Sequence, residues 1–319
     1  MNITQIYENY LRALDYFKAH SDEAWFDGQN NAHERGKFVK IPLKNLLKFK
    51  SKNIGGVGLE KVDFVSFNTA IQNKIVDPKV IKGIQFYYSH MEKKYPDYLR
   101  KFRTALADES WFGGATYYLK KEDIDVSHFS IRTALRLFNF QGYLDSLKIE
   151  TKFRTIAELG GGYGKTFLDF IKFYDVSTAY YIDLPTNMAL CAFYAKKRTP
   201  LKIIWVIEES DQIQEGVINF VAPWQIHKIP SVDLFLNFLS MQHMTSRAQE
   251  HYKKNFIQNK VKYLFHQNRL IPNPHYPTEG ALKEIRIEET MKLLCSGKYE
   301  ANAGQHRTQI YSQLFVKNS

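Results

Sequence analysis

Ile156-Ala157-Glu158-Leu159-Gly160-Gly161-Gly162-Tyr163-Gly164-Lys165-Thr166 is a short apolar segment that runs into a cluster of glycines and then into a helical pattern. A strand passing through a glycine turn into a helix is the local pattern of nucleotide-binding α/β folds. Three signatures compete for it. A phosphate-binding loop, G-x-x-x-x-G-K-[ST], finds its end in Gly164-Lys165-Thr166, but its first glycine falls on Leu159. Starting from Gly160 shortens the loop by one residue and misplaces the N–H groups that wrap phosphates. A dinucleotide fingerprint, G-x-G-x-x-G, fits Gly160 and Gly162 but meets Lys165 where close helix–strand packing wants a glycine.

The third pattern, acid-x-G-x-G-x-G, is met at every position by Glu158, Gly160, Gly162 and Gly164. Glycines let a backbone turn sharply and approach a ligand. A carboxylate with backbone groups, and no lysine, suits a cationic sulfonium nucleoside carrying an amino-acid tail. The cofactor this implies is S-adenosyl-L-methionine, with S-adenosyl-L-homocysteine as its product. The next strand ends at Asp183, where a carboxylate can accept from both ribose hydroxyls, and Leu184 follows it. The competing interpretation is a tight strand-to-helix turn that binds nothing.

Around this motif the chain alternates. Strands are expected at 154–159, 178–182, 217–221, 233–238 and 262–265, with helices at 166–173, 186–197 and 246–259 and one or two final strands within 308–316. Alternation of this kind implies parallel strands with right-handed crossovers, an α/β, doubly wound Rossmann-like sheet. Residues 1–150 read as a mainly helical domain, with helices at the amino end and near 79–92, 95–107 and 129–147. A strand is also expected at 61–67. The expected division is therefore 1–150 for a substrate or lid domain and 151–319 for the cofactor domain.

The 319 residues, 44% hydrophobic and 15% aromatic, are enough for two packed domains and exclude a disordered chain. The net charge of +11 favours encounters with anions such as nucleotides, nucleotide-sugars, phospholipid headgroups or nucleic acid. Its lysines are scattered, as on solvated faces. Two cysteines, Cys191 and Cys295, exclude a disulfide scaffold and a local cysteine zinc site and suit a reducing cytoplasm. No apolar run reaches the ~18 residues of a membrane span. The opening segment, an amphipathic helix with Glu8 and Asp15, lacks a signal peptide's character.

IAELGGGYG (156–164), YYIDLPTNMALCAFY (180–194) and DLFLNFLSMQHM (233–244) resemble the sugar O-methyltransferase family of bacterial surface-glycan gene clusters. The resemblance covers about residues 125–270 and leaves 1–120 untouched. It implies a Rossmann-like methyltransferase domain and methyl transfer to a sugar hydroxyl. The acceptor would be a nucleotide-sugar or a capsule or lipopolysaccharide glycan. Where that family often carries an acidic residue after SMQ, this chain has His243, so no role for that position carries over.

Ligands of open α/β sheets bind beyond the carboxyl ends of the strands, which locates the candidates for chemistry. His243, in the loop after the fourth strand, is the first candidate for the base that takes the acceptor's proton, and His266 after the fifth is the second. Asn237 and Gln242 are candidates for orienting the cofactor tail or the substrate, and Asn268 for a sugar hydroxyl. Trp224 stands where an adenine ring can stack, though a core tryptophan fits as well. Tyr163 in the turn, Tyr117 in the aromatic segment 111–118 and Arg132 are candidates for substrate binding. That segment is either a lid or a hydrophobic turn between helices. The loop after Phe238 has no acid cluster, so no metal is expected. A nucleic-acid methyltransferase is the alternative enzyme. It lacks support because no Asn/Asp-Pro-Pro-aromatic motif follows the fourth strand, and no nucleic-acid partner is expected. A non-catalytic module of the same fold is the alternative outside enzymes. Membrane contact is expected to be peripheral at most, and a homodimer is compatible with the sequence.

Overall fold

The computed structural model describes residues 2–19, 78–107, 117–271, 282, 286–298 and 310–318. Packing divides the chain into two units, Met1–Lys40 with Glu150–Ser319, and Ile41–Ile149. The expected strand at 61–67 and most of the aromatic segment 111–118 lie outside the described residues.

Helix α1 (Ile3–Ala19) carries Ile6, Tyr10, Ala13, Leu14 and Phe17 as one buried stripe. It packs with the sheet unit, against the helix that follows the sheet's second long strand. The amino-terminal helix therefore groups with the sheet unit and not with residues 41–149. An amphipathic stripe says that a helix is covered, but not by which surface.

The unit of residues 41–149 is mainly helical where described. It contains α2 (Pro78–Lys94), α3 (Pro96–Lys101), α4 (Arg103–Leu106) and α5 (His128–Ser146). A small antiparallel hairpin, β1 (Tyr117–Leu119) and β2 (Ile124–Val126), precedes α5. Its strands are too short to show period-two alternation. Tyr95, Tyr98, Phe102 and Phe138 form one ring cluster that joins α3 and α5. The start of α5 is fixed by a reciprocal cap: Ser127 Oγ accepts from Ser130 N at 3.0 Å and Ser130 Oγ accepts from Ser127 N at 2.9 Å.

The other unit is built on an eight-stranded sheet ordered β5-β6-β4-β3-β7-β8-β10-β9. Its strands are β3 (Thr155–Leu159), β4 (Thr178–Ile182), β5 (Ile203–Val206), β6 (Ile218–Val221), β7 (Val232–Phe238), β8 (Val261–Arg269), β9 (Met291–Lys298) and β10 (Ile310–Lys317). Strands β3 to β8 all pair in parallel with their neighbours, and β10 runs antiparallel between β8 and β9. Helices α6 (Lys165–Phe173), α7 (Pro185–Arg198) and α8 (Ser246–Tyr252) supply crossovers, the last running on through a π turn at Lys253–Ile257. Every residue of β4 is buried, as a strand covered on both faces requires.

This is the expected doubly wound Rossmann-like sheet. The chain proceeds outward from β3 through β4 to β5 at the edge, steps back to β6 between them, then crosses to β7 on β3's other side. The order therefore reverses between β3 and β7, and the crevice at such a switch point is where open α/β sheets hold ligands. Two strands escaped the sequence. β5 is four residues between Pro200 and a polar loop, and β9 (MKLLCSGK) shows no clean alternation.

Candidate cofactor crevice

The glycine turn lies at the carboxyl end of β3, beside the tip of β4. Gly160, Gly162 and Gly164 all adopt positive φ, at 71°, 64° and 85°. A Cβ on Gly160 would stand 1.8 Å from Ser240 Oγ, and one on Gly164 would stand 2.1 Å from Cys191 Sγ. These absent side chains make room for the protein itself. Gly160 lets the tips of β3 and β7 close on each other, and Gly164 lets α6 begin directly against α7. Gly161 is similarly crowded by Glu158 and Tyr181.

Two buried carboxylates stand beside the turn. Glu158 is buried in β3 with Tyr181 as its register partner on β4. Asp183, just past β4, is 6% exposed and receives only neutral donors. Its Oδ2 accepts from Gly162 N at 3.0 Å and from the Tyr181 hydroxyl at 2.9 Å, and its Oδ1 from Leu184 N at 2.7 Å and Asn187 Nδ2 at 2.9 Å. Burial pushes its carboxyl up to about 6, while those four bonds pull it down. The same negative charge, added to burial, raises the Tyr181 phenol and the Cys191 thiol.

The lysine that opens α6 does not face a phosphate. Lys165 Nζ is fully buried and bonded to Asp169 Oδ2 at 2.9 Å, and Arg198 holds Asp169 Oδ1 at 2.9 Å. The donor set around the turn therefore fits a neutral or cationic nucleoside and opposes a triphosphate. Tyr163 is buried edge-on against Tyr194, with ring centres 5.2 Å apart.

The tips of β7 and β8 form a closed amide network. Asn237 Nδ2 donates to Leu159 O at 2.8 Å, while its Oδ1 accepts from Met241 N and from Asn268 Nδ2 at 2.9 Å. Asn268 Oδ1 accepts from Gln242 N, and Gln242 Oε1 accepts from Arg269 N at 2.9 Å. Asn237, Gln242 and Asn268 thus hold the loop 239–244 in place, and the two asparagines are wholly buried. Leu239 in that loop has φ 62°, a left-handed conformation costly for a branched residue, secured by its N–H to Gln267 O at 2.8 Å. Ser240 follows it against the turn.

His243 is half-buried at the end of this loop, with its Nε2 3.2 Å from Gln242 Nε2. The amide nitrogen can only donate, so a hydrogen bond there is made to the Nε2 lone pair of a neutral ring. His266 belongs to the core. It is 1% exposed, stacked on Phe315 and lowered to about 4 by burial. Trp224 is also anchored, its Nε1 donating to Ile207 O at 2.6 Å and its ring 6.4 Å from Phe17 of α1. Arg132 lies on α5 and Tyr117 on β1, where its hydroxyl accepts from Gln85 Nε2 at 3.2 Å. Both belong to the unit of residues 41–149. Tyr181, Asn187 and Ser240 were not singled out in the sequence. Only Tyr181 left a signal there, standing two residues before Asp183 and hence on the same side of the strand.

No family model and no curated protein matches the chain. Solved structures similar to it include the methyltransferase domain of bacterial CtHen1-CN, at 11% identity over 58% of this chain and 99% of that one, with TM-score 0.41. TehB from Haemophilus influenzae is similar at 14% identity over 56% and 62% of the two chains, with TM-score 0.38. TrmK of M. capricolum, solved with S-adenosyl-homocysteine, is similar at 10% identity over 56% and 68%, with TM-score 0.36. At TM-scores this low, fold and site rest on this chain's own strand order and side chains. Among the described residues no three His, Cys, Asp or Glu side chains gather as a metal site, and no helix is long and apolar enough to cross a membrane.

Proposed function

We propose that this protein is an S-adenosylmethionine-dependent methyltransferase whose acceptor is the hydroxyl of a sugar, carried on a nucleotide or a surface glycan. One observation carries the cofactor assignment. Two buried carboxylates, Glu158 and Asp183, flank a left-handed glycine turn at a strand-order reversal, while the neighbouring lysine is bonded to Asp169. When bound there, the cofactor supplies an electrophilic methyl on a cationic sulfur. Asp183 would accept from the ribose hydroxyls, and Glu158 with the turn backbone would hold the cationic amino-acid end. The sugar acceptor is supported by the sequence resemblance, chiefly the IDLP and SMQ-M segments.

His243 is the group proposed to receive the acceptor's hydroxyl proton. Gln242, itself pinned to β8, meets the imidazole at Nε2, so that amide contact must open for the ring to take a proton there. The amide network of Asn237 and Asn268 acts behind them by holding the loop.

Calorimetric titration with S-adenosylhomocysteine tests the cofactor site, and absence of heat at millimolar ligand would sink it. Incubation with labelled cofactor and a panel of nucleotide-sugars and purified glycans tests the acceptor by the mass of one added methylene. Labelling of RNA but of no sugar would overturn the sugar assignment alone. His243→Ala is expected to slow turnover about 10²–10⁴-fold while leaving S-adenosylhomocysteine affinity in place. Wild-type turnover in that variant removes His243 as the base.

A further inference from the structure

Gly162, at the apex of the turn, has both its peptide polar groups held by side chains from the tip of β4. Its N–H donates to Asp183 Oδ2 at 3.0 Å, and its carbonyl accepts from the Tyr181 hydroxyl. The same hydroxyl also lies 2.9 Å from Asp183 Oδ2. A phenol has one proton, and here two buried acceptors compete for it. If the proton goes to Gly162, Asp183 Oδ2 keeps only the Gly162 N–H; if it goes to Asp183, the buried Gly162 carbonyl loses its tyrosine donor.

We propose that Tyr181 is a positioning residue of the cofactor crevice: its hydroxyl clasps Gly162 to Asp183, and a nucleoside with a vicinal diol binds by giving Asp183 the donor for which the Gly162 carbonyl competes. This rests on the nucleoside assignment above. With the diol in place, the Tyr181 proton is released wholly to Gly162, so the turn is held by ligand and tyrosine together.

A proton on Asp183 resolves the competition in the same way, because a carboxylic acid brings its own O–H. Ligand and proton therefore compete for one carboxylate. The titratable groups around it are Glu158 on β3, Tyr181 on β4, Cys191 on α7 and Tyr252 on α8. Lys165 is turned away into Asp169. Burial pushes the Asp183 carboxyl up to about 6. Ligand hydroxyls that donate to it lower that value. Affinity is then level above about pH 7 and falls on the acid side, approaching tenfold per pH unit. The Tyr181 bond is one of those that hold the carboxyl down, so Tyr181→Phe moves the acid limb to higher pH.

The experiment is the S-adenosylhomocysteine Kd by calorimetry from about pH 5 to 8.5 for the wild type, Tyr181→Phe and Asp183→Asn. The expected results are an acid limb near 6 in the wild type, a limb displaced upward in Tyr181→Phe, and none in Asp183→Asn. A second measurement needs no variant: titrations near pH 6 in two buffers of different ionisation enthalpy should show release of a fraction of a proton per ligand bound. Tyr181→Phe weakening affinity by the same factor at every pH, or no proton release by the wild type, overturns the clasp while leaving the cofactor site intact. No binding by the wild type at any pH overturns both.

Discussion

Asp169 and Asp183 are two buried aspartates of one sheet unit, and they are treated in opposite ways. Asp169 is fully buried between two cations, with Lys165 and Arg198 each at 2.9 Å. Asp183 is equally enclosed but meets only neutral donors, and its carboxyl is raised to about 6. A buried charge neutralised by partners is a closed structural unit. One held by dipoles alone retains negative potential and lies ready for a ligand that brings donors or positive charge. The same chain thus spends its nearby cations on Asp169 and withholds them from Asp183, which is why Asp183 and not Asp169 is the residue proposed for the site.

The contrast can be broken by substitution. Asp169→Ala removes the carboxylate that both cations face, and a stability loss of about 3–5 kcal/mol is expected in denaturant unfolding. The protein that remains folded should bind S-adenosylhomocysteine as before, and loss of binding would erase the distinction. Gly164→Ala comes next, because the new methyl meets Cys191 Sγ in a left-handed backbone. A loss of about 1–3 kcal/mol is expected from overpacking. Adding Cys191→Ala should recover part of it, and no recovery would mean that the backbone conformation alone sets the cost. Asp183→Ala is expected to weaken S-adenosylhomocysteine binding by about 1–3 kcal/mol. Its stability at neutral pH should change less than in Asp169→Ala, and the reverse ranking would make Asp183 the structural member of the pair. Smallest is Trp224→Phe, which gives up the indole bond to Ile207 for about 1 kcal/mol. Thermal unfolding measures that loss, and a larger fall in cofactor affinity than in stability would return Trp224 to the site.

The two halves of the crevice were unequally legible. Glu158, the glycines and Asp183 stand in two short segments whose order along the chain already says strand, turn, helix, strand tip. The side proposed for the acceptor was harder because its polar residues are shared between strands far apart in sequence. Asn237, Gln242 and Asn268 stand after strands, as ligand-binding residues do, yet each has its amide committed to a neighbouring strand or loop. His266 occupies the same kind of position, but its ring is stacked on Phe315 of a strand that arrives near the end of the chain.

By itself the sequence determined the alternation of strands and helices, the doubly wound sheet and the turn with its two carboxylates, since periodicity and glycine placement act over a few residues. Tertiary structure alone decided that α1 covers α7, that Lys165 faces Asp169, and that Tyr181 shares its proton between Gly162 and Asp183. Those outcomes depend on which partners come within hydrogen-bonding distance once the core closes. Burial then turns each partner's presence or absence into the charge state that makes a site.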